Sequence, residues 1–200
     1  MRNVGLALGP LLFASGCHHL GRTSVATSIH PAPGTSIIHF ALVDHGIYKG
    51  SRPRSDADYA FLRSKKIKYI LDLQFLPLLP LLEKRTAAKY GMTVIPAFIN
   101  GSPISPSEKQ VSSILSILRD PHYHPIYFHC ALGRDRSALI AALYKMYFMG
   151  MSQAQAWEYM KKSGFKDSWT LRGLKRYLQE HPTPPACSLI NNGEVATCFY

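Results

Sequence analysis

Acid, cysteine and tryptophan are all scarce in this chain: 12 Asp+Glu, four Cys and two Trp among 200 residues. Against 23 Lys+Arg, the shortage of acid leaves a net charge of +11. Such a field speeds encounter with polyanions, but it does not choose among a small phosphorylated molecule, a lipid headgroup, a phosphoprotein or a nucleic acid. No set of four His and Cys is spaced for zinc, so neither a metal nor another cofactor is expected. There is no internal repeat and no long block of one charge. The longest early apolar run, Val4 to Ala14, is too short to span a bilayer.

One short stretch is dense in chemistry. Residues 125–137 read PIYFHCALGRDRS, and an apolar helix former's pattern, ALIAALYKMYFM, follows. A β-favouring run therefore ends in His129-Cys130, passes through a tight loop and opens a helix. Loop amides and a helix N-terminus together make an anion site. Cys130 lies at its base and Arg136, after five intervening residues, at its rim. A free thiol is mostly protonated at neutral pH, and only the thiolate is a nucleophile. The helix terminus, the amides and the arginine all favour the thiolate, so Cys130 is expected to ionise easily. Arg136 can clamp two phosphate oxygens through its planar fork, which a lysine cannot do. The loop residues Ala131, Leu132, Gly133 and Arg134 would wrap one tetrahedral phosphate, with Gly133 allowing the sharp turn. Ser137 can donate to the sulfur as it leaves, and His129, grouped with the substrate-binding residues, is expected to fix loop geometry and favour the thiolate.

The full pattern H-C-x-x-G-x-x-R-S resembles the cysteine-dependent phosphatase superfamily, the protein tyrosine and dual-specificity phosphatases. Upstream, FALVDHGIYKGSRPRSDADYAFLRSKKIKYILDLQ, Phe40 to Gln74, is similar to the N-terminal half of plant and fungal atypical dual-specificity phosphatases. It is similar also to bacterial protein tyrosine phosphatase-like phytases, which cleave inositol polyphosphates. The likeness spans residues 37–180 and implies a phosphomonoester hydrolase with a cysteinyl-phosphate intermediate. Many superfamily members carry a general-acid Asp on a mobile loop. The corresponding stretch here, Phe98-Ile99-Asn100-Gly101-Ser102-Pro103, has no acid. Glu108 reads as part of a capping box, Ser105-Pro106-Ser107-Glu108. Asp135 is the remaining candidate, since the arrangement resembles the G-x-D-R of myotubularins and certain bacterial phosphatases, in which a loop Asp is the proposed acid. Its other reading is a structural partner of a neighbouring Lys or Arg. Arg134 stands where relatives acting on inositol phosphates often carry a basic residue. The favoured substrate is thus an inositol polyphosphate or related polyanion, with a phosphoprotein as the alternative and no nucleic-acid partner. A phosphate-binding module without turnover is a second class of function; arsenate reduction would need resolving cysteines near Cys130, and none is evident in the sequence.

Residues 1–17, MRNVGLALGPLLFASGC, have the proportions of a secretory signal ending in an imperfect lipoprotein-like box. The expectation is export to the periplasmic face of a bacterial membrane, with a lipid on Cys17. Residues 18–35 read as a linker, 36–182 as the phosphatase domain and 183–200 as a tail, where Cys187 and Cys198 could pair. Within the domain, strands are expected over Ile37–Val43, Ile67–Leu73, Met92–Phe98 and Pro125–Cys130. Helices are expected from Ser55 to Lys65, Pro77 to Tyr90, Ser105 to Arg119, Ser137 to Met149 and Ser152 to Ser163, with a last one from Asp167 or Ser168 to His181. This alternation means an α/β fold, a mostly parallel central sheet flanked by helices. Trp157, Trp169, Tyr144, Tyr147, Phe148 and Tyr159 are assigned to the core. Lys49, Lys84, Arg85 and Lys89 could line a substrate cleft but are taken as solvated charge. Arg52 and Arg54, held by Pro53, are named as substrate contacts.

Overall fold

A computed structural model describes residues 30–74, 79–101 and 103–182. The signal-like segment, Cys17, the linker up to residue 29 and the tail with Cys187 and Cys198 lie outside the described residues. The chain runs β1 (Ala41–Asp44), β2 (Ile47–Ser51), α1 (Asp56–Ser64), β3 (Tyr69–Asp72), α2 (Leu79–Lys89), β4 (Thr93–Pro96), α3 (Glu108–Arg119), β5 (Ile126–Cys130), α4 (Arg136–Phe148), α5 (Gln153–Lys162) and α6 (Arg172–Glu180). The five strands lie in the order β1-β2-β5-β3-β4, with β1 antiparallel to β2 and every other pair parallel. The expected α/β sheet is present, with β5 at its centre. Among the described residues no helix is long and apolar enough to cross a membrane.

Side-chain alternation along β5 sorts the core into two layers. Ile126, Phe128 and Cys130 face the layer built with α3, α4, α5 and α6, whereas Tyr127 faces the one built with α1 and α2. Both faces are covered, so every β5 residue is buried, as expected for the inner strand of a parallel sheet. Helix α4 is apolar on all sides because it lies inside the first layer: Ala138, Leu139, Ile140, Ala141, Ala142 and Leu143 have no exposed surface.

Four sequence expectations need correction. The strand expected over Ile37–Val43 begins only at Ala41, because His39 takes a left-handed φ of 54° that interrupts the extended chain. The hairpin partner β2, including Lys49, was not anticipated, because its five residues lack a clear alternation. The cap of α3 is Ser107, whose side chain accepts from the Gln110 amide while Gln110 returns a bond to the Ser107 amide. The overlapping Ser105–Glu108 box does not form, and Glu108 instead lies 3.3 Å from His181 Nε2. Trp169 is not core: it is 72 % exposed on a single 3-10 turn before α6.

Candidate active site

The loop after β5 closes around the sulfur of Cys130. Strand register sets Ser51 beside Cys130 and Lys49 beside Phe128, on the same face of neighbouring strands. Gly133 turns with φ 73°, and its Cα rests against the backbone of β2. A methyl group there would come within 2.5 Å of both Gly50 C and Ser51 N. This is the one loop position where only glycine fits.

Cys130 is buried, with Sγ 3.5 Å from Ser137 Oγ. Burial alone would push the thiol up. Hydrogen bonds from the Ser137 hydroxyl and from the backbone N–H groups of Ser137, Leu132 and Gly133 outweigh it, and the thiol is held below its ordinary value. Those same amides point at the sulfur, and Ala131 and Leu132 beside them are exposed. Arg136 begins α4, and its stem packs on Gly101, where a Cβ would approach Arg136 Nε to 2.7 Å. The segment expected to carry a mobile acid thus seats the arginine instead.

Asp135 occupies the N-cap position of α4 without capping it. Its Oδ2 accepts from Arg134 Nε at 3.3 Å, while Oδ1 is buried with no hydrogen-bond partner among the described residues. Burial raises its carboxyl above the ordinary value, although Arg134, Arg136 and the Lys166 amide pull the other way. The pairing with Arg134 is the reading of Asp135 that its contacts show.

His129 does not reach the cradle. Alternation sends its ring to the opposite face of the sheet from Cys130, beside Asp72, its register partner on β3. Nε2 lies 3.0 Å from Glu83 Oε1 on α2, and Nδ1 lies 3.8 Å from Asp72 Oδ1, with all three residues buried. Burial disfavours the imidazolium, but Glu83 first, then Asp72 and the Cys130 thiolate, raise its pKa above the usual histidine value. Burial also raises Asp72, against the pull of His129. His129, grouped with the substrate-binding residues, is thus corrected to a buried ring beneath the loop, its Nδ1 3.4 Å from the Cys130 carbonyl. One donor atom from each of the three lies within 4.8 Å of the others, and two carboxylates with an imidazole are a set that transition metals accept. Glu83 and Asp72 both face the imidazole and favour its charged form. Glu83 was missed in the sequence, though it sits four residues before the buried Ala87 on α2, a charge on an apolar face.

Arg52 leaves β2 at the same end of the sheet and is half-buried, whereas Arg54 is exposed, its backbone amide donating to Asp58 Oδ2 at 2.7 Å. Neither makes a side-chain hydrogen bond or ion pair with the loop. Lys49 does engage it. Its side chain has no exposed surface, and Nζ donates to the Gly133 carbonyl at 3.2 Å. Burying an ammonium typically costs several kcal/mol, so its solvated-surface assignment is corrected.

A five-stranded sheet with a Cys-x5-Arg loop between its central strand and an apolar helix defines the cysteine-dependent protein tyrosine and dual-specificity phosphatase class. Within it, the chain belongs to the family described as DSP-PTPase phosphatase fused to NAD+ kinase, which matches residues 40–173. The dual specificity protein phosphatase TpbA of Pseudomonas aeruginosa is 29 % identical over 87 residues, 42 % of this chain and 40 % of that protein. The chain thus matches less than half the length of this curated relative. The catalytic core of the PP-IP phosphatase SIW14 from S. cerevisiae, solved with citrate, superposes with a TM-score of 0.62 at 22 % identity, over 72 % of this chain and 84 % of that one. The crystal structure of TpbA gives 0.61 at 19 % identity, over 78 % and 91 %. At these identities the two structures speak for the fold.

Proposed function

We propose that the protein hydrolyses phosphomonoesters through a cysteinyl-phosphate intermediate. The surroundings of the Cys130 sulfur carry this reading: a hydroxyl at 3.5 Å and three backbone amides favour the thiolate where a phosphoryl group would be caged. The thiolate attacks phosphorus, forming the S–P bond as the P–O bond to the leaving group breaks. Arg136 and the loop amides stabilise the charge spread over the transferring oxygens. Asp135 gives its proton to the departing oxygen. Water then attacks phosphorus, Asp135 takes the proton from it, and the S–P bond breaks with the sulfur received by Ser137.

An inositol polyphosphate or related polyanion is the favoured substrate. Arg134 beside the cradle and the net charge of +11 support it, as does the likeness to a yeast enzyme described as a PP-IP phosphatase. The match to a dual specificity protein phosphatase supports the second reading, a phosphoprotein. The N-terminal sequence supports export and a lipid tether at Cys17 as part of the same proposal.

The test is phosphate release from phytate, phosphoinositides and a phosphotyrosine peptide by wild type and Asp135→Asn. A lowered Cys130 makes the rate rise as pH increases through its ionisation. A raised Asp135 makes it fall again as that proton is lost. Asp135→Asn should therefore lose the falling limb. Its rate on alkyl phosphates should drop by about 100-fold or more, with far less change on an aryl phosphate whose leaving group needs no proton. An equal loss on both substrates would remove Asp135 as the acid. Faster release from the peptide than from phytate would decide for the phosphoprotein.

A further inference from the structure

Lys49 is a buried charge against the phosphate loop that the hydrolysis does not use. It sits on β2, on the same sheet face as Phe128 and Cys130 of β5. Its ammonium is fixed by two carbonyls, Gly133 at 3.2 Å and His39 at 3.5 Å. One belongs to the phosphate loop, and the other to the turn before β1 where the backbone takes a positive φ. The ammonium thus ties the back of the loop to the sheet and brings a cation under the nucleophile, away from water that would screen it.

We propose that Lys49 is a positioning residue for the hydrolysis suggested above: its buried ammonium holds the phosphate loop closed through Gly133 and favours the thiolate form of Cys130. The inference rests on the hydrolase reading for its role in turnover, but its electrostatic part is a property of the resting protein.

The charges around Lys49 are few. Cys130 faces it from β5, and the thiolate favours the ammonium; by reciprocity the ammonium favours the thiolate. His39 is driven towards its neutral form, first by burial and then by Lys49 and Arg134. Helix α4, packed over β2, contributes Lys145, but that ammonium donates to the Val43 carbonyl at 2.6 Å, at the hairpin end away from the loop. Burial is the dominant influence on Lys49 itself and brings its pKa down to about 8, against the opposing pull of the thiolate. The field at Cys130 should therefore weaken as pH rises through that value.

The experiment follows alkylation of Cys130 by iodoacetamide across pH in the full chain, with the Cys130 peptide quantified by mass. No substrate is needed, so the result stands apart from whether the protein turns over phosphate. Lys49→Met should raise the midpoint by about half a unit or more, seen as alkylation about threefold slower below it. Lys49→Arg keeps a charge that does not titrate in this range. It should retain the low midpoint and lose the change in reactivity expected of wild type near pH 8. An unshifted midpoint in a folded Lys49→Met protein would overturn the proposal, as would equal shifts in both variants. Should Lys49→Met fail to fold, Lys49→Arg decides: an inflection near pH 8 that persists in it cannot come from Lys49.

Discussion

Gly133→Ala should abolish most activity and weaken the fold together. The new methyl would stand 2.5 Å from two backbone atoms of β2, neither of which can swing away as a side-chain tip would. The φ of 73° adds strain on any L-residue, typically about 1–3 kcal/mol. Relief requires the loop to lift from the sheet, which carries the Leu132 and Gly133 amides off the sulfur and breaks the Lys49 contact. Displacement of a reacting group by about 1 Å can cost ~100-fold in rate. A melting curve and kcat/KM on one aryl phosphate check both parts. A variant with wild-type melting and a wild-type rate would mean the loop is not seated on β2 as described.

Arg136→Lys should leave the fold intact and still cost about 100- to 1,000-fold in kcat, the range seen when one transition-state donor is removed. The residue opens α4 at the surface of the cradle, and its stem rests on Gly101. A lysine keeps the charge and fits the same space. It lacks the planar fork, however, and cannot bond two equatorial oxygens at once. Melting unchanged with kcat sharply reduced is the expected pair of results. A loss confined to KM would show that Arg136 only collects substrate.

Much of this site was legible because it is contiguous. Cys130, Gly133, Arg136 and Ser137 fall within eight residues, so spacing alone placed thiol, turn, guanidinium and hydroxyl on one strand–loop–helix unit. What could not be read is what the sheet brings from afar. His129 is adjacent to Cys130 in sequence but on the other face in space, and only the strand's alternation, once β5 is known to be doubly buried, says so. Lys49 looked like surface charge because β2 itself was not anticipated. Glu83 needed the packing of α2 over β3 and β5. The Ser105 and Ser107 boxes are equally good by pattern, and the choice between them is tertiary. Trp169 fits a helical spacing of aromatics, yet the short 3-10 turn takes it out of that period and into solvent.

The central claim is covalent chemistry at one sulfur, and the most direct measurement is phosphate release by wild type beside Cys130→Ser, on phytate, phosphoinositide and phosphotyrosine peptide, with phosphate binding measured in parallel. The account predicts release by wild type on at least one of the three, none above background by Cys130→Ser, and phosphate binding retained in the variant. Wild type that binds phosphate and releases none would contradict it and leave a phosphate-binding module on a phosphatase fold; a serine variant that turns over as fast as wild type would contradict it by removing Cys130 as the nucleophile.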